Sequence, residues 1–160
     1  MWSPDRRLFL ASFAALGGCG FTPAYGPQGG GGALLNSVAL AEPDTTDQYA
    51  FNRRFEDRMG RGSGPYVLTT RIETNEQGLG SLADGSTTRV RLLGRVFYTL
   101  RDPDGATLVT GRTNAFTGYS ITGSTPATEA AQRDAQDRLM ILLADQVIDR
   151  LLLDADKLTR

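Results

Sequence analysis

One cysteine has the most distinctive chemical setting in this 160-residue chain. Cys19 is the only cysteine, and it directly follows Leu16, Gly17 and Gly18. Small side chains before a cysteine resemble a lipobox, in which a peptidase cleaves ahead of the cysteine and its thiol is acylated. We therefore expect cleavage between Gly18 and Cys19 and a covalent lipid on Cys19. Each acyl methylene buried in a membrane contributes about 0.8 kcal/mol, so several chains make such an attachment stable.

The first 18 residues have the arrangement of an export signal. A short basic start ends at Arg6 and Arg7, and an apolar stretch runs from Leu8 to Leu16. This stretch is shorter than the roughly 20 apolar residues of a membrane-spanning helix, so the segment is predicted to be a cleaved signal. The two arginines and the residues after them also resemble the twin-arginine export motif. Both that route and the general secretory route remain open.

The composition excludes several kinds of catalytic site. Without histidine or a second cysteine, the chain cannot form a Ser-His-Asp triad, a Cys-His pair, a His/Cys zinc site or an internal disulfide. Carboxylate chemistry stays open, because glycoside hydrolysis needs only two acidic groups. We expect no enzymatic activity, no metal and no cofactor beyond the covalent lipid. Removal of the signal leaves 15 basic and 17 acidic residues, and this bulk charge predicts no nucleic-acid partner.

Arginines concentrated on one face of a strand are the second feature that can do chemistry. Over residues 89–101 every even-numbered position is apolar, aromatic or glycine and most odd-numbered positions are polar, a period of two that predicts a strand with one buried face. Clustered guanidinium groups can bind an anion, even in a chain with a small net charge. The alternative is a solvated strand surface without a specific anion. The arginines of this strand are Arg89, Arg91, Arg95 and Arg101, and Arg112 lies in the stretch that follows it.

The elements that precede this strand follow from periodicity and turn residues. A first strand is predicted from Leu34 to Leu40, and Pro43 ends it. A helix capped by Asp44 or Thr45 should run to Met59, with Gly60 as its stop. A second strand is predicted from residue 66 to 73, with a loop over residues 75–88 rich in Gly, Ser, Thr and Asn. Leu79 and Leu82 leave open an extension of the strands across that loop. The apolar stripe of the helix consists of Phe51, Phe55 and Met59, which we expect to be core.

The elements after the arginine-rich strand complete the pattern. Turn residues at 102–105 predict a hairpin to a fourth strand over about residues 106–119. A final helix should begin after a Thr125 cap and end near Asp154. Its exposed side should carry the i,i+4 pairs Glu129 with Arg133 and Asp134 with Arg138. Its predicted buried stripe consists of Ala135, Leu139, Leu142, Leu143, Val147 and Leu151.

These elements predict one α+β domain. The order strand, helix, three strands, helix favours a two-layer sandwich, in which a mixed sheet of about four strands has two helices on one face and its first strand is parallel. The glycine-rich segment from Gly26 to Gly32 predicts a flexible tether. We therefore divide the chain into a signal (1–18), a lipidated amino terminus with its tether (19–32) and a domain (33–160).

The mature amino terminus points to a family. Residues 19–26 read Cys-Gly-Phe-Thr-Pro-Ala-Tyr-Gly and resemble the start of the lipopolysaccharide-assembly lipoprotein family LptE, as found in alphaproteobacteria. The likeness continues through the predicted order of elements and the closing-helix segment from Glu129 to Ala135. The resemblance implies a non-enzymatic protein that plugs the lumen of the outer-membrane β-barrel LptD, assists its assembly and delivers lipopolysaccharide to the outer leaflet. Gly20 after the cysteine, instead of aspartate, fits sorting to the outer membrane.

The resemblance also implies a ligand for these arginines, because the lipid A part of lipopolysaccharide carries phosphates. It makes the candidate phosphate contacts Arg89, Arg91, Arg95, Arg101 and Arg112. In better-known family members, basic residues are implicated in lipopolysaccharide contact at two places. These places are the tip between the second and third strands and the segment just before the last helix. Here residues 72–88 and 113–132 contain no Lys or Arg, so Arg89 and Arg91 are the nearest substitutes. The implied location is the periplasmic side of the outer membrane, with the domain in the barrel lumen.

Two other functions also fit these features. An auxiliary lipoprotein of a lipid-transport ABC system would share the lipobox and a small α+β domain. A carboxylate-based hydrolase of cell-wall glycans is the more distant alternative. Copurification separates the barrel plug from the transporter lipoprotein. The barrel plug should copurify with an outer-membrane barrel, and the transporter lipoprotein should copurify with inner-membrane transporter subunits.

Overall fold

The computed structural model describes residues 31–81, 87–121 and 123–158. The predicted signal, Cys19 and the tether up to residue 30 lie outside these ranges. Gly31 and Gly32, which we assigned to the tether, form the start of the first helix. In chain order the elements are α1 (Gly31–Leu34), β1 (Val38–Leu40), α2 (Thr46–Met59), β2 (Tyr66–Ser81), β3 (Thr87–Arg101), β4 (Thr107–Ser120) and α3 (Thr125–Leu158).

The four strands form one sheet in the order β1-β2-β3-β4. β1 pairs parallel with β2, and the β2–β3 and β3–β4 pairs are antiparallel. One core joins apolar side chains of the sheet to those of α2 and α3, among them Val96, Phe55 and Leu143. The predicted α+β two-layer sandwich with one parallel pairing is confirmed. Among the described residues, no helix is long and apolar enough to cross a membrane.

Helix α2 begins and ends where the sequence predicts. The Thr45 hydroxyl accepts a hydrogen bond from the Gln48 N–H (3.2 Å), which satisfies one of the unpaired donors of the first turn. At the other end Gly60 has φ 85°, a backbone conformation that glycine adopts without steric cost. The stripe of Phe51, Phe55 and Met59 is buried, so its interpretation as core is confirmed.

The first strand is shorter than the predicted Leu34–Leu40. Only Val38–Leu40 pairs with β2, and Leu34 ends α1. Asn36 has a positive φ of 57°, and the Ser37 N–H donates to the Leu34 carbonyl (3.1 Å), so a turn separates the helix from the strand. Leu34 and Val38 both face the core. Their shared burial explains why the apolar pattern indicated one continuous strand.

The predicted loop over residues 75–88 is mostly strand. β2 continues to Ser81 and β3 begins at Thr87, with Leu79 opposite Arg89 in the register. The loop prediction was therefore wrong for these residues, and the alternative in which Leu79 extends the strand is confirmed. Leu82 lies outside the described residues. Hairpin pairing satisfies the backbone groups of polar segments as well as apolar ones, so a polar composition did not prevent strand formation here.

Helix α3 extends beyond the predicted end near Asp154 and reaches Leu158. Thr125, predicted as the cap, is its first residue. The Asp134–Arg138 ion pair is present (2.9 Å), whereas Arg133 donates to the backbone carbonyl of Glu129 (3.2 Å) and no carboxylate contact joins that pair in the described ranges.

The buried stripe of α3 is correct except for Leu142, which is 43% exposed. The helix packs on both the sheet and α2, so its buried face is wide and includes Met140, Ala144 and Ile148. At 100° per residue, position 142 then falls on the solvent side. The sequence pattern alone did not show on which side of α3 the helix α2 packs.

An ion cluster joins α2 to α3 outside the core. Asp145 accepts two hydrogen bonds from Arg54 (2.8 and 3.0 Å) and one from Arg58 (3.1 Å). Arg58 also donates to Asp149 (3.2 Å). Partial burial raises the pKa of the Asp145 carboxyl, but the hydrogen bonds from the two arginines outweigh it and place the pKa below its ordinary 3.8.

Asp145→Asn is expected to lower the free energy of unfolding by about 1–2 kcal/mol at neutral pH. Because folding lowers the pKa of this carboxyl, its contribution is present above the unfolded-state value and is lost as pH falls through the folded-state value. The difference between wild type and variant should therefore shrink below about pH 4 in urea unfolding measured down to about pH 2. Asp149→Asn, at a carboxyl 61% exposed, is the control and should cost less than about 0.5 kcal/mol. A difference independent of pH would assign the effect to packing.

Candidate functional site

The register divides the sheet into a covered face and an open face. Even-numbered β3 positions such as Leu92 and Val96 are buried under the helices, and the intervening side chains point away from them. We call this second side the open face. It comprises Val67, Thr69, Arg71, Glu73, Asn75, Gln77 and Leu79 of β2, Arg89, Arg91, Leu93, Arg95, Phe97, Thr99 and Arg101 of β3, and Thr110, Arg112, Asn114, Phe116, Gly118 and Ser120 of β4.

All five predicted arginines belong to the open face, but they do not form one cluster. Arg89 lies near the β2–β3 hairpin tip, opposite Leu79 and Ser120. Arg101 lies at the other end of β3, opposite Val67. Twelve residues of extended strand separate these two arginines by about 40 Å. A single phosphate group therefore cannot contact both ends, and the prediction divides into separate candidate sites.

The hairpin-tip end of the open face combines apolar and cationic side chains. A hollow of about 620 Å³ is lined by Leu79, Arg89, Arg91, Phe116 and Gly118, together with their neighbours. Phe116 is 58% exposed and Leu79 is 46% exposed. The Arg91 guanidinium carbon lies 4.1 Å from the centroid of the Phe116 ring, a cation–π arrangement that holds it beside the hollow. We call this hollow the tip site.

A second hollow of about 580 Å³ lies in the middle of the open face and is more polar. Its lining includes Glu73, Asn75, Arg95, Arg112 and Asn114. Glu73 lies 3.9 Å from Arg95 and offsets part of its charge. Glu73 is also the one carboxylate among the open-face residues just defined. The positive charge of the tip site is therefore less offset by carboxylates than that of the second hollow.

Arg71 is an open-face arginine that the sequence reasoning did not select. Its guanidinium carbon lies 4.3 Å from the centroid of the Phe97 ring, and its guanidinium also donates to Glu73. Arg71 stands alone among Thr, Leu and Ile in the sequence, so it formed no visible stripe. Only the register that places it opposite Phe97 joins it to the other arginines.

The end of the sheet that carries the tip site is held against α3 from the covered side. The Glu76 carboxylate accepts hydrogen bonds from the Gln132 side-chain amide (2.9 Å) and from the Tyr119 hydroxyl (3.4 Å). Burial and the neighbouring Glu76 charge both raise the pKa of the Tyr119 hydroxyl, which stays neutral at ordinary pH. Thr117 donates to the Ala135 carbonyl (2.9 Å) on the same side. These contacts hold β2 and β4, the two strands on either side of the part of β3 that carries Arg89 and Arg91.

Comparison with known proteins places this arrangement in context. A family model described as LptE, lipopolysaccharide-assembly, matches residues 35–151. This range begins in the turn before β1 and ends within the second half of α3. No curated protein matches the sequence significantly.

Solved structures share the fold. A chain described as a lipoprotein of Caulobacter crescentus superposes with a TM-score of 0.66 at 23% identity, covering 80% of this chain and 98% of its own. Rare lipoprotein B of Shewanella oneidensis gives 0.59 at 12% identity, over 78% and 98% of the two chains. A minor lipoprotein of Acinetobacter baumannii gives 0.54 at 20% identity, over 74% and 90%. At these identities the likeness establishes the fold alone.

Proposed function

Because the chain belongs to the LptE lipopolysaccharide-assembly family, we propose that it acts with the outer-membrane β-barrel LptD as plug and assembly factor in lipopolysaccharide transport. A role in lipopolysaccharide assembly and an association with the outer membrane follow from the family itself. The plug role, the partner and the position in the barrel lumen are our proposal. According to this proposal, the protein is not an enzyme, and a lipid on Cys19 holds the domain at the periplasmic side of the membrane.

The open face suits the interior of a large barrel. Its side chains are mostly Arg, Thr, Asn and Gln, which match the polar, wet lumen of outer-membrane barrels. The opposite face is covered by α2 and α3 and is closed by the core. A plug needs a surface that can remain beside water and polar barrel residues without aggregating. The open face fulfils this requirement, apart from its exposed apolar side chains, which are Leu79 and Phe116 in the tip site and Val67 at the opposite end.

The observation that carries the ligand proposal is the tip site. Lipid A joins phosphates to acyl chains, so it presents anionic and apolar groups close together. Arg89 and Arg91 offer guanidinium groups that bind phosphate through two parallel hydrogen bonds. Phe116 and Leu79 offer exposed apolar surface directly beside them. We therefore assign Arg89 and Arg91 to lipopolysaccharide contact and place Arg95, Arg101 and Arg112 as secondary, barrel-facing candidates.

Isolation of the protein from its native outer membrane in mild detergent tests the partner. We expect a large β-barrel to copurify in a stoichiometric complex. Recovery of inner-membrane transporter subunits would instead support an auxiliary lipoprotein of a lipid-transport ABC system. Recovery of the chain without a barrel would exclude the plug role.

Arg89→Ala combined with Arg91→Ala is expected to weaken lipopolysaccharide binding about tenfold or more, because two charge-assisted contacts are lost. The free energy of unfolding should change by less than about 1 kcal/mol, as is usual for surface positions. Binding can be measured by titration of the purified protein with lipopolysaccharide at fixed, low salt.

Arg101→Ala combined with Arg112→Ala is the matched control. It removes the same charge from the same face but leaves the tip site intact, so binding should fall less than about threefold. Equal affinity of the tip-site variant and wild type would show that these arginines form only a solvated strand surface.

A further inference from the structure

Strand β4 forms one edge of the sheet, and its pairing shows which backbone groups are unpaired. The Ile121 N–H donates to the Thr88 carbonyl (3.0 Å), and the register continues regularly from there to Val109 opposite Leu100. In an antiparallel pair every second residue bonds to the partner strand, and the intervening residues direct their backbone groups outwards. The outward N–H and C=O groups therefore belong to Thr110, Arg112, Asn114, Phe116, Gly118 and Ser120.

This edge lacks the features that usually prevent edge pairing. β4 is 14 residues long and contains no proline, lysine or acidic residue, with Arg112 as its single charge. The register shift lies at the Leu100/Arg101 end, so the rest of β4 pairs with β3 without a bulge. Among the described residues, one side chain hydrogen-bonds to the outward groups, because Arg138 donates to the Gly118 carbonyl (3.5 Å). Natural edges of this length normally carry charges, proline or bulges.

The opposite edge differs. Beyond the three residues paired with β1, strand β2 carries charges of both signs, Arg71, Glu73 and Glu76. Two of these are tied together by an ion pair, and Glu76 is tied to Gln132 of α3. That edge therefore resembles a protected one, and β4 is the better template for an added strand.

The charges beside β4 specify the occupant. Directly paired side chains on neighbouring strands lie about 5 Å apart. An added strand would place one side chain opposite Arg112 and another opposite the exposed Phe116, four residues further along. Within the described ranges, Arg112 has no hydrogen-bond or ion-pair partner. Arg95 and Arg91 lie one strand further in and are cationic as well. The matching segment is therefore acidic opposite Arg112 and apolar opposite Phe116.

We propose that β4 pairs through its backbone with an extended segment of another polypeptide. On the side that continues the open face, this segment has acidic side chains and one apolar residue four positions from an acidic one. A second copy of this chain fits poorly, because pairing two β4 edges would bring two sets of arginines together without carboxylates to match them. The pairing does not require lipopolysaccharide, although Phe116 and Gly118 of β4 also line the tip site.

Amide hydrogen exchange of the full chain in mild detergent tests the pairing. The probe is a capped nine-residue peptide in which threonine alternates with glutamate, except for one valine four positions from a glutamate. Its counterpart has lysine in place of glutamate. We expect the glutamate peptide to slow exchange at the outward amides of Arg112, Asn114 and Phe116 on the order of tenfold. The inward amides of Thr113 and Ala115, which already bond to β3, should change little.

Two variants distinguish backbone pairing from charge attraction. Asn114→Pro removes an outward N–H without removing a bond to β3, so the fold should persist and peptide protection should be lost. Arg112→Gln keeps the edge and should abolish the preference for the glutamate peptide over the lysine peptide. Protection that is equal for both peptides in wild type, or absent for both, would overturn the proposal. A β4-dependent dimer in sedimentation without peptide would also overturn it, in favour of self-pairing.

Discussion

Replacing Leu139 with alanine is expected to lower the free energy of unfolding by about 2–5 kcal/mol. Leu139 is fully buried on α3, where it contributes to the core between the helices and the sheet. The truncation removes the transfer free energy of the lost methyl groups and leaves a cavity that rigid strands cannot fill by shifting. Urea unfolding followed by circular dichroism at neutral pH measures the change.

Leu142→Ala is the matched control, because it is the same substitution three residues further along the same helix. Leu142 is 43% exposed, so we expect a loss below about 1 kcal/mol. The sequence pattern placed both leucines in the buried stripe and would predict similar losses. Comparable destabilisation by the two variants would therefore contradict the orientation of α3 described above.

This pair shows which parts of the fold periodicity could predict. β3 follows a period of two because one of its faces is buried, so its faces and its end at Arg101 were predicted correctly, whereas it begins two residues earlier than predicted. α3 contacts a sheet and a second helix, and a one-dimensional stripe cannot show the direction of the second contact. Leu142 was misplaced for that reason. The polar stretch from Asn75 to Ser81 was missed because backbone pairing, rather than side-chain pattern, makes it strand.

The candidate site was predictable only as a list of arginines. Alternation along β3 placed Arg89, Arg91, Arg95 and Arg101 on one face, and the β3–β4 register adds Arg112 of β4 to that face. Their division between two ends, and the addition of Arg71, depend on the registers of β2 and β4, which no local pattern specifies. Phe116 and Leu79, which turn a cationic surface into one suited to an amphiphile, lie on different strands 37 residues apart. Sequence spacing gave no sign that they meet.

Burial is also distributed unequally between the two sides of the sheet. The covered side contains the core and the Arg54–Asp145 cluster, which fix the helices in place. The open side retains six arginines, one carboxylate and an unpaired edge. A monomer that functioned alone would have little reason to keep so much unmatched cationic and backbone polar surface together. The distribution supports a role in which a ligand and a polypeptide partner complete this side of the molecule.

Gly64→Ala is expected to lower the free energy of unfolding by at least about 2 kcal/mol, because the new methyl group meets backbone atoms. A Cβ at Gly64 would lie less than 3.0 Å from three backbone atoms of Ser37, and Gly62 is packed in the same way against Val38. Ser37 directly precedes β1 and Val38 is its first residue. The Tyr66 N–H donates to the Ser37 carbonyl just beyond the contact (3.1 Å). Relief therefore requires β1 to separate from the start of β2.

Gly123→Ala is the control for that substitution, since its Cβ would meet only a side-chain carbon at 3.6 Å. It should change stability by less than about 0.5 kcal/mol in the same urea titration. Exchange of the β1 amides should accelerate in Gly64→Ala more than exchange of the β3 amides, because the clash opens the β1–β2 pair first. Equal stability of the two alanine variants would show that residues 37 and 38 do not lie against the glycines in solution.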